Sequence, residues 1–392
     1  MTVRAVVVDD SVVVRRTVAN VLDGADDVEV VGTASDGRMG LRKIAELKPD
    51  VVTLDVEMPG MNGLETLREI RREHPQLPVI MYSTLTERGA EATLEALSLG
   101  AVDYATKPSG AATREAAADQ VRSNLLPLVQ LWGRRTLVRR PLAGLVPNPG
   151  AVERRATITS APRAFAAPAP ASGPLAHPLP ADGPIRLSTA PPPTAIDLLL
   201  IGVSTGGPDA LAHLLPSLPA GLPVPIAIVQ HMPPVFTTML AKRLDGASSI
   251  GVCEAESGVE MRAGQAYLAP GGRHLEVDAT RTGFRTRLTD APAENSCRPA
   301  VDVLFRSAAA AAHGRVLALV LTGMGQDGLL GARAVRDAGG SVLAQDEASS
   351  VVWGMPGFVA RDGIASAVLP LEAVAGRIVQ LVAAHTRQAV SR

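Results

Sequence analysis

Short runs of Val, Ile and Leu recur along this chain at intervals that each leave room for one helix, and this rhythm limits the fold more than any other feature. Between positions 3 and 124 the runs are AVVV at 5–8, VEVVG at 28–32, VVTL at 51–54, VIMYS at 79–83 and DYAT at 103–106. Amphipathic stretches such as 63–74 and 86–99 separate them. Runs that are mostly apolar throughout suit strands buried on both faces, and helix-length connections make such strands parallel. The rhythm stops near Gly144 and resumes at about 196 with IDLLLIG, VPIAIVQ, RVLALVLTG and GSVLAQD. Helices are expected there over 208–215, 298–312 and 329–338.

Between the two blocks, positions 149–193 hold eleven of the chain's 31 prolines amid Ala, Gly and Ser. Such a stretch cannot bury enough apolar surface to offset its chain entropy, and it reads as an extended linker. A helix over 113–135, with Pro127 inside it, closes the first block. The expected division is residues 1–124 as one domain, 125–194 as linker and 195–388 as a second domain. One stretch departs from the parallel pattern: QAYLAPGGRHLEVDATRTGFRTRLT alternates about turn residues and predicts an antiparallel ribbon. The fold class is therefore α/β twice over. A five-stranded parallel, flavodoxin-like sheet comes first, then a doubly wound α/β domain carrying the ribbon.

Composition narrows the function. Among 392 residues, Lys and Arg number 38 against 39 Asp and Glu, and aromatics make up 3%. Near-neutral charge argues against a global grip on nucleic acid or acidic membrane, and scarce aromatics leave few platforms for stacking bases. Cys253 and Cys297 are far apart and form no C-x-x-C pair. Neither a disulfide framework nor a zinc site is expected, and both read as small apolar residues in a reducing compartment. The N-terminal MTVRAVVVDD reaches two aspartates too soon for a secretory signal, and no apolar run is long enough to span a bilayer. A cytoplasmic protein without membrane insertion is expected.

In a parallel sheet the C-terminal ends of the strands share one edge, where ligands bind. Asp9 and Asp10 follow the first strand, Asp55 follows the third, Ser83 ends the fourth and Lys107 follows the fifth. Any one of these is more often a helix cap or a turn residue. Together they put three carboxylates, a hydroxyl and an ammonium on one edge. Packed carboxylates repel unless a cation intervenes, and Mg²⁺ suits such hard oxygen ligands, with phosphate completing its shell. The set describes phosphoryl acceptance at Asp55.

The second block opens on LLLIGVSTGGPDA, a strand and a glycine-rich turn. Such a turn either cradles a pyrophosphate at a helix start or exposes a nucleophile, and GVSTG at 202–206 reads as G-x-S-x-G. Ser204 stands where the dinucleotide fingerprint needs its second glycine, and no acid follows about twenty residues on to hold a ribose. A lone serine needs a base, and the base an orienting group. Among seven histidines, His231 in QHMPP follows a strand and so reaches the same edge, whereas His213, His274 and His313 read as structural or solvated. Asp327, past a Gly323/Gly325 turn in LVLTGMGQDGLLG, is the candidate orienter, with capping of the next helix as the bland alternative. Backbone N–H groups near Met324 and at the helix start by Pro208 offer oxyanion donors. The order Ser, His, Asp differs from that of the α/β-hydrolases.

These residues carry two resemblances. VVVDDS, LDVEMPGMNGLE, VIMYST and DYATKPS resemble the two-component receiver domain. That resemblance implies Asp55 as phosphoacceptor and a Mg²⁺ site from Asp9, Asp10, Asp55 and the Glu57 backbone carbonyl. It also implies Ser83 as switch hydroxyl, Tyr104 as switch aromatic, Lys107 as phosphate-binding lysine, and a chemotaxis histidine kinase as phosphodonor. IGVSTGGPDAL, VQHMPPVFTTMLAKRL, YLAPGGRHLEV, RPAVDVLFRSAA and LTGMGQDGLLGARAV resemble the catalytic domain of the CheB protein-glutamate methylesterases. That resemblance implies Ser204 as nucleophile, His231 as base and then acid, Asp327 as orienter and the Met324 N–H as oxyanion donor. The implied substrates are methyl-glutamyl esters of methyl-accepting chemoreceptors, with glutamine deamidation alongside and no cofactor in the esterase domain. An unphosphorylated receiver is expected to lie across Ser204 and His231. The alternative is a phosphorylation-controlled receptor adaptor without catalysis.

Overall fold

The computed structural model describes residues 2–108, 113–139, 184–190, 193 and 195–390. In the first domain the strands β1 (Val3–Val8), β2 (Val28–Ala34), β3 (Val51–Asp55), β4 (Val79–Ser83) and β5 (Asp103–Thr106) form a sheet in the order β2-β1-β3-β4-β5. Every pairing in it is parallel. Around it lie α1 (Val12–Asp23), α2 (Gly37–Leu47), α3 (Gly63–Glu73), α4 (Glu87–Ser98) and α5 (Arg114–Asn124). Each helix starts where the sequence supplies a capping side chain: Ser11, Asp36, Asn62, Thr86 and Thr113 all accept a first-turn N–H. Such caps satisfy donors that the helix itself cannot. Val3, Ala5 and Val7 point to the α1 and α5 side, and Val6 and Val8 to the opposite face, so both faces of β1 are buried.

The helix expected over 113–135 is in fact two. α5 ends at Asn124 and α6 (Leu126–Arg139) begins two residues later. Pro127 has no N–H to give to a continuous ladder, so it is tolerated only in a first turn. α6 is not linker, because Leu125, Leu128, Val129 and Trp132 are buried against the first domain. The folded unit thus runs past the boundary set at 124, and most of the rest of the segment expected as linker lies outside the described residues. Its end does not hang free: the N–H groups of Arg186 and Ser188 bond Ala360 O and Ala365 O.

The second domain begins with β6 (Leu198–Val203), β7 (Ile226–Gln230), β8 (Gly251–Glu254) and β9 (Gln265–Leu268). It continues through β10 (His274–Ala279), β11 (Phe284–Thr289), β12 (Val316–Val320), β13 (Ser341–Gln345) and β14 (Ala367–Leu369). Its helices are α7 (Gly207–Leu214), α8 (Phe236–Ala247), α9 (Val301–Ala311), α10 (Leu329–Asp337), α11 (Met355–Arg361) and α12 (Leu371–Val390). Seven strands form a parallel sheet in the order β14-β13-β12-β6-β7-β9-β8. β10 and β11 form the antiparallel ribbon. The QAYL segment, expected as part of that ribbon, is β9 and pairs in parallel with β7 and β8. Its Ala266, Tyr267 and Leu268 are a continuous buried run, and that pattern belongs to a parallel strand rather than a half-exposed ribbon.

The chain enters this sheet at β6, winds out through β7, and returns to place β12 on the other side of β6. A crevice therefore opens over the C-terminal ends of β6 and β12, at a topological switch point. The two domains pack on each other there. α4 lies against α7 and α8. Tyr104 stacks on Phe236 with ring centroids 5.0 Å apart and planes 11° from parallel. The Arg243 guanidinium donates to Leu94 O and Ser98 Oγ, and Arg135 donates to Val351 O. One apolar core includes Leu94 and Leu97 of α4, Phe236 and Leu240 of α8, and Val374 and Ile378 of α12, without a break at the seam.

Candidate functional site

The first domain has its own switch point, between β1 and β3, and Asp9 and Asp55 stand at it side by side. Lys107 Nζ lies 2.9 Å from Asp9 Oδ2 and 2.7 Å from Asp55 Oδ2. Asp9 Oδ1 accepts the Ser11 N–H at 2.9 Å, and Asp55 Oδ1 accepts the Glu57 N–H at 3.2 Å. Asp9, Asp10 and Asp55 each offer a carboxylate oxygen within 4.8 Å of the others. Burial pushes the Asp55 carboxyl up to about 6, and the charge of Asp9 adds to this against the pull of Lys107. Three carboxylates against one ammonium leave excess negative charge in a largely buried site. Those donors fit a hard divalent cation such as Mg²⁺.

The other candidates divide. Ser83 is one strand over, through the pairing of Asp55 with Tyr82, and its Oγ donates to Gly89 O in α4 at 3.1 Å. The Lys107 N–H holds Ser83 O at 2.7 Å. The Glu57 side chain turns away, toward Arg88 at 3.7 Å. Tyr104 is not in this cluster; its ring lies in the seam against Phe236.

At the other switch point, β6 and β7 align Val203 with Gln230, which makes Ser204 and His231 the first residues past the pairing. The His231 N–H bonds Val203 O at 3.2 Å, and the Ser204 N–H bonds Thr322 O, just past β12, at 3.0 Å. The serine turn closes by the Gly207 N–H to Ser204 O at 2.8 Å, with Gly206 at φ +77°. Gln230, 1% exposed, holds the site from beneath, because its Nε2 donates to Ser204 O at 3.0 Å and His231 O at 3.2 Å. Only glycine fits at 207, since a methyl group there would lie 1.9 Å from Gln230 Oε1. Gly323 is equally confined: a methyl group on it would sit 2.8 Å from Ser204 Cβ. The next residue is Met324, the expected oxyanion donor.

Asp327 Oδ2 meets His231 Nε2 at 2.7 Å. The same oxygen accepts the Val301 N–H at 2.7 Å. Oδ1 accepts the Asp302 and Gly328 N–H groups, both at 3.0 Å. Asp327 therefore does cap a helix, but that helix is α9 rather than α10. Ala300, the residue at the α9 cap position, has no side chain able to do so. Burial alone would raise the Asp327 carboxyl. Its bond to His231 and the α9 N–H groups instead hold it below the usual range. For His231, burial opposes the charged ring, yet the Asp327 bond, helped by Cys297, pushes it up to about 9. With Nε2 committed to Asp327, Nδ1 is the ring nitrogen that does not meet the carboxylate.

Three residues in this arrangement gave no chemical signal in the sequence. Cys297, read as an ordinary small apolar residue, places Sγ 3.7 Å from His231 Nδ1. Asn295 Nδ2 donates to Asp327 Oδ1 at 2.9 Å, and Asp302 is the other carboxylate it touches. Gln230, directly before the candidate histidine, is a further supporting residue that sequence reasoning did not single out. His274 is fully buried and structural, accepting the Ala300 N–H at Nδ1 and bonding Pro292 O through Nε2. A cavity of about 760 Å³ is lined by Ser204, His231 and Cys297 on one side and by Val102, Tyr104 and Trp132 of the first domain on the other.

Comparison with known proteins agrees with this two-part architecture. Residues 5–118 match the response regulator receiver domain, and residues 199–378 match the CheB methylesterase family. A protein from Nocardioides sp. named protein-glutamate methylesterase/protein-glutamine glutaminase is 50% identical over 94% of this chain and 92% of its own. One of the same name from Trichodesmium erythraeum is 45% identical over 97% of this chain and 99% of its own. The crystal structure of the Thermotoga maritima CheB methylesterase catalytic domain is 42% identical, covers 48% of this chain and 100% of its own, and has a TM-score of 0.47. The chain belongs to the receiver-linked CheB methylesterase family.

Proposed function

We propose that this protein hydrolyses methyl esters on glutamyl side chains of chemoreceptors, and the primary amides of particular glutamines, under control of phosphorylation at Asp55. The observation that carries the reading is the His231–Asp327 pair set beside Ser204, in a cavity whose far wall is the receiver. The names of the relatives support the substrate class.

In the first step Ser204 Oγ attacks the ester carbonyl carbon, and His231 Nδ1 takes the hydroxyl proton. Asp327 balances the imidazolium charge through Nε2. The Met324 N–H receives the tetrahedral oxyanion. The C–O bond to methoxide then breaks, His231 returns its proton to the leaving oxygen, and methanol departs. Water, deprotonated by His231, attacks the acyl-serine carbonyl; the C–Oγ bond breaks, His231 returns the proton to Ser204 Oγ, and the glutamate carboxylate departs. With glutamine, ammonia leaves in place of methanol.

In the receiver, Asp55 accepts the phosphoryl group from a kinase phosphohistidine, and Lys107 pairs with the new charge. Asp9, Asp10, Asp55 and the Glu57 carbonyl would hold Mg²⁺, which when bound neutralises the incoming phosphoryl oxygens. Ser83 turning to a phosphoryl oxygen must leave Gly89 O, its acceptor in α4. α4 is the helix that packs on α7 and α8, so the change is delivered to the seam. A few kcal/mol of difference between the arrangements suffices to open the cavity. No helix among the described residues is long and apolar enough to cross a membrane, in keeping with action from the cytoplasm on receptor tails.

The test is methanol release from methyl-labelled receptor membranes by wild type and Ser204→Ala, with and without a small phosphodonor plus Mg²⁺. Release that needs Ser204 and rises with the phosphodonor is expected. Release indifferent to the phosphodonor removes the gate and keeps the esterase. No release from matched receptors points to an adaptor.

A further inference from the structure

The carboxylate of Asp327 has a buried neighbour of its own kind. Asp302, 1% exposed, sits in the first turn of α9, and a single amide spans the two. Asn295 Nδ2 donates to Asp327 Oδ1 and to Asp302 Oδ2, each at 2.9 Å. Both partners are acceptors, so the amide has one possible orientation, with its nitrogen inward and both protons used. Asp302 Oδ1 is fixed in turn by the Gly331 N–H at 2.6 Å.

The loop that delivers Asn295 is held at several points. Asn295 and Ser296 both adopt left-handed backbone, at φ +53° and +61°. Two successive non-glycine residues in that region store strain and persist only where the surroundings enforce them. Glu294 and Cys297 exchange backbone hydrogen bonds at 3.0 and 2.8 Å, and Glu294 takes both arms of Arg306, each at 2.6 Å. The far end of the loop is Cys297, against His231 Nδ1. A cap for α9 requires Asp327 alone. A second buried carboxylate beside it is unfavourable on its own account: burial, and then the Asp327 charge, push Asp302 up to about 6.

We infer that Asn295 and Asp302 are positioning residues of the esterase site: Asn295 clamps Asp327 so that its second oxygen stays on His231 Nε2, while Asp302 holds the amide and lends its charge to the base. The inference rests on the esterase reading given above and names the groups that tune it. The other charged groups within reach are Glu294, Arg306 and Arg333. Glu294 pairs with Arg306, and Arg333 with Asp362, so each already has its partner.

The test uses the full chain as wild type, Asn295→Ala and Asp302→Asn. Methanol release is measured from pH 5 to 9, and the His231 ring is followed by ¹⁵N NMR, assigned by its loss in His231→Gln. Asn295→Ala is expected to lower kcat roughly 10- to 100-fold with KM little changed, because a loosened Asp327 misplaces the base. Asp302→Asn is expected to move the acid limb of kcat/KM and the ring titration together to lower pH, by at least about half a unit, as a negative charge leaves the cluster. A merely structural role would lower stability and leave both readouts in place. Wild-type kcat in the first variant with an unmoved titration in the second overturns the inference. If Asn295→Ala does not fold, Asp302→Asn decides alone, since with its oxygen toward Asn295 it keeps the amide bond and gives up only the Gly331 N–H. If wild type releases no methanol, the esterase reading fails while the ring titration still tests the clamp.

Discussion

Replacing Asp327 by asparagine sets two demands of the site against each other. Five donors converge on the carboxylate: His231 Nε2 and the Val301 N–H, both at 2.7 Å, on Oδ2, and Asn295 Nδ2 at 2.9 Å with the Asp302 and Gly328 N–H groups at 3.0 Å on Oδ1. An amide offers one oxygen. Turned one way its nitrogen faces three donors, turned the other way two, so the nitrogen takes the Oδ2 position. There the imidazole can answer only by carrying its proton on Nδ1, with Nε2 as acceptor. Nδ1 is the nitrogen that must be empty to take the Ser204 proton. A wrong tautomer in such a triad lowers kcat by about 10⁴. The Val301 N–H, buried with no acceptor, costs about 1–3 kcal/mol, and the lost charge-assisted bonds bring the total to roughly 3–5 kcal/mol. Methanol release at pH 8 and the denaturant midpoint measure the two effects separately. A kcat within tenfold of wild type in a folded variant would refute the orienting role of Asp327 and the tautomer argument with it.

Other outcomes follow from the same geometry. The free ring of His231 sits at about 9, above its unfolded value near 6.5, so the acid limb of kcat/KM should fall well above 6.5. By the same linkage the ring's contribution to stability is complete below about 6.5 and is lost as pH rises through about 9. A limb at or below 6.5 contradicts the pairing with Asp327. Tyr104→Ala removes the stack on Phe236, worth about 0.5–1.5 kcal/mol, and should raise release without phosphodonor roughly 2- to 12-fold; unchanged basal release would remove the seam from the gate. Gly207→Ala forces Gln230 from beneath the site and should lower both the unfolding free energy, by about 1–3 kcal/mol as read from denaturant titration, and kcat. A fully active Gly207→Ala would show that Gln230 is dispensable.

Much of this was legible because parallel sheets collect their chemistry at strand ends. Asp9, Asp55 and Lys107 are distant in sequence, yet each stands at the end of a strand, the first two after buried apolar runs and Lys107 after the shorter DYAT, and the shared edge follows from that. Ser204 and His231 were readable for the same reason. Asn295 and Asp302 were not, since their part depends on a left-handed loop and on the start of α9 arriving beneath Asp327, and neither leaves a periodic trace. The break near Leu125 was hidden because α5 and α6 together keep a helical composition, with only Pro127 against it. β9 was misassigned because four residues before a turn look alike in a ribbon and in a parallel sheet until their neighbours are known. The resemblance led to an expected receiver over Ser204 and His231, but which residues form the seam left no mark, as Phe236, Arg243 and Leu94 are common residues wherever they occur.

If the receiver gates the site as proposed, the unbroken core across that seam sets what kind of gate it is. Parting α4 from α7 and α8 wets hydrocarbon as well as breaking the bonds of Arg243. A closure held by apolar contact is largely entropic near 25 °C, weakens on cooling and tightens in strongly excluded salts. The resting leak of the enzyme then depends on the weather of the cell as much as on its signalling. On that reading a larger fraction of unphosphorylated molecules would stand open in the cold, partly offsetting the slowing of the chemistry. Adaptation in such a cell would carry a measure of built-in temperature compensation, located in the packing between two domains rather than in either active centre.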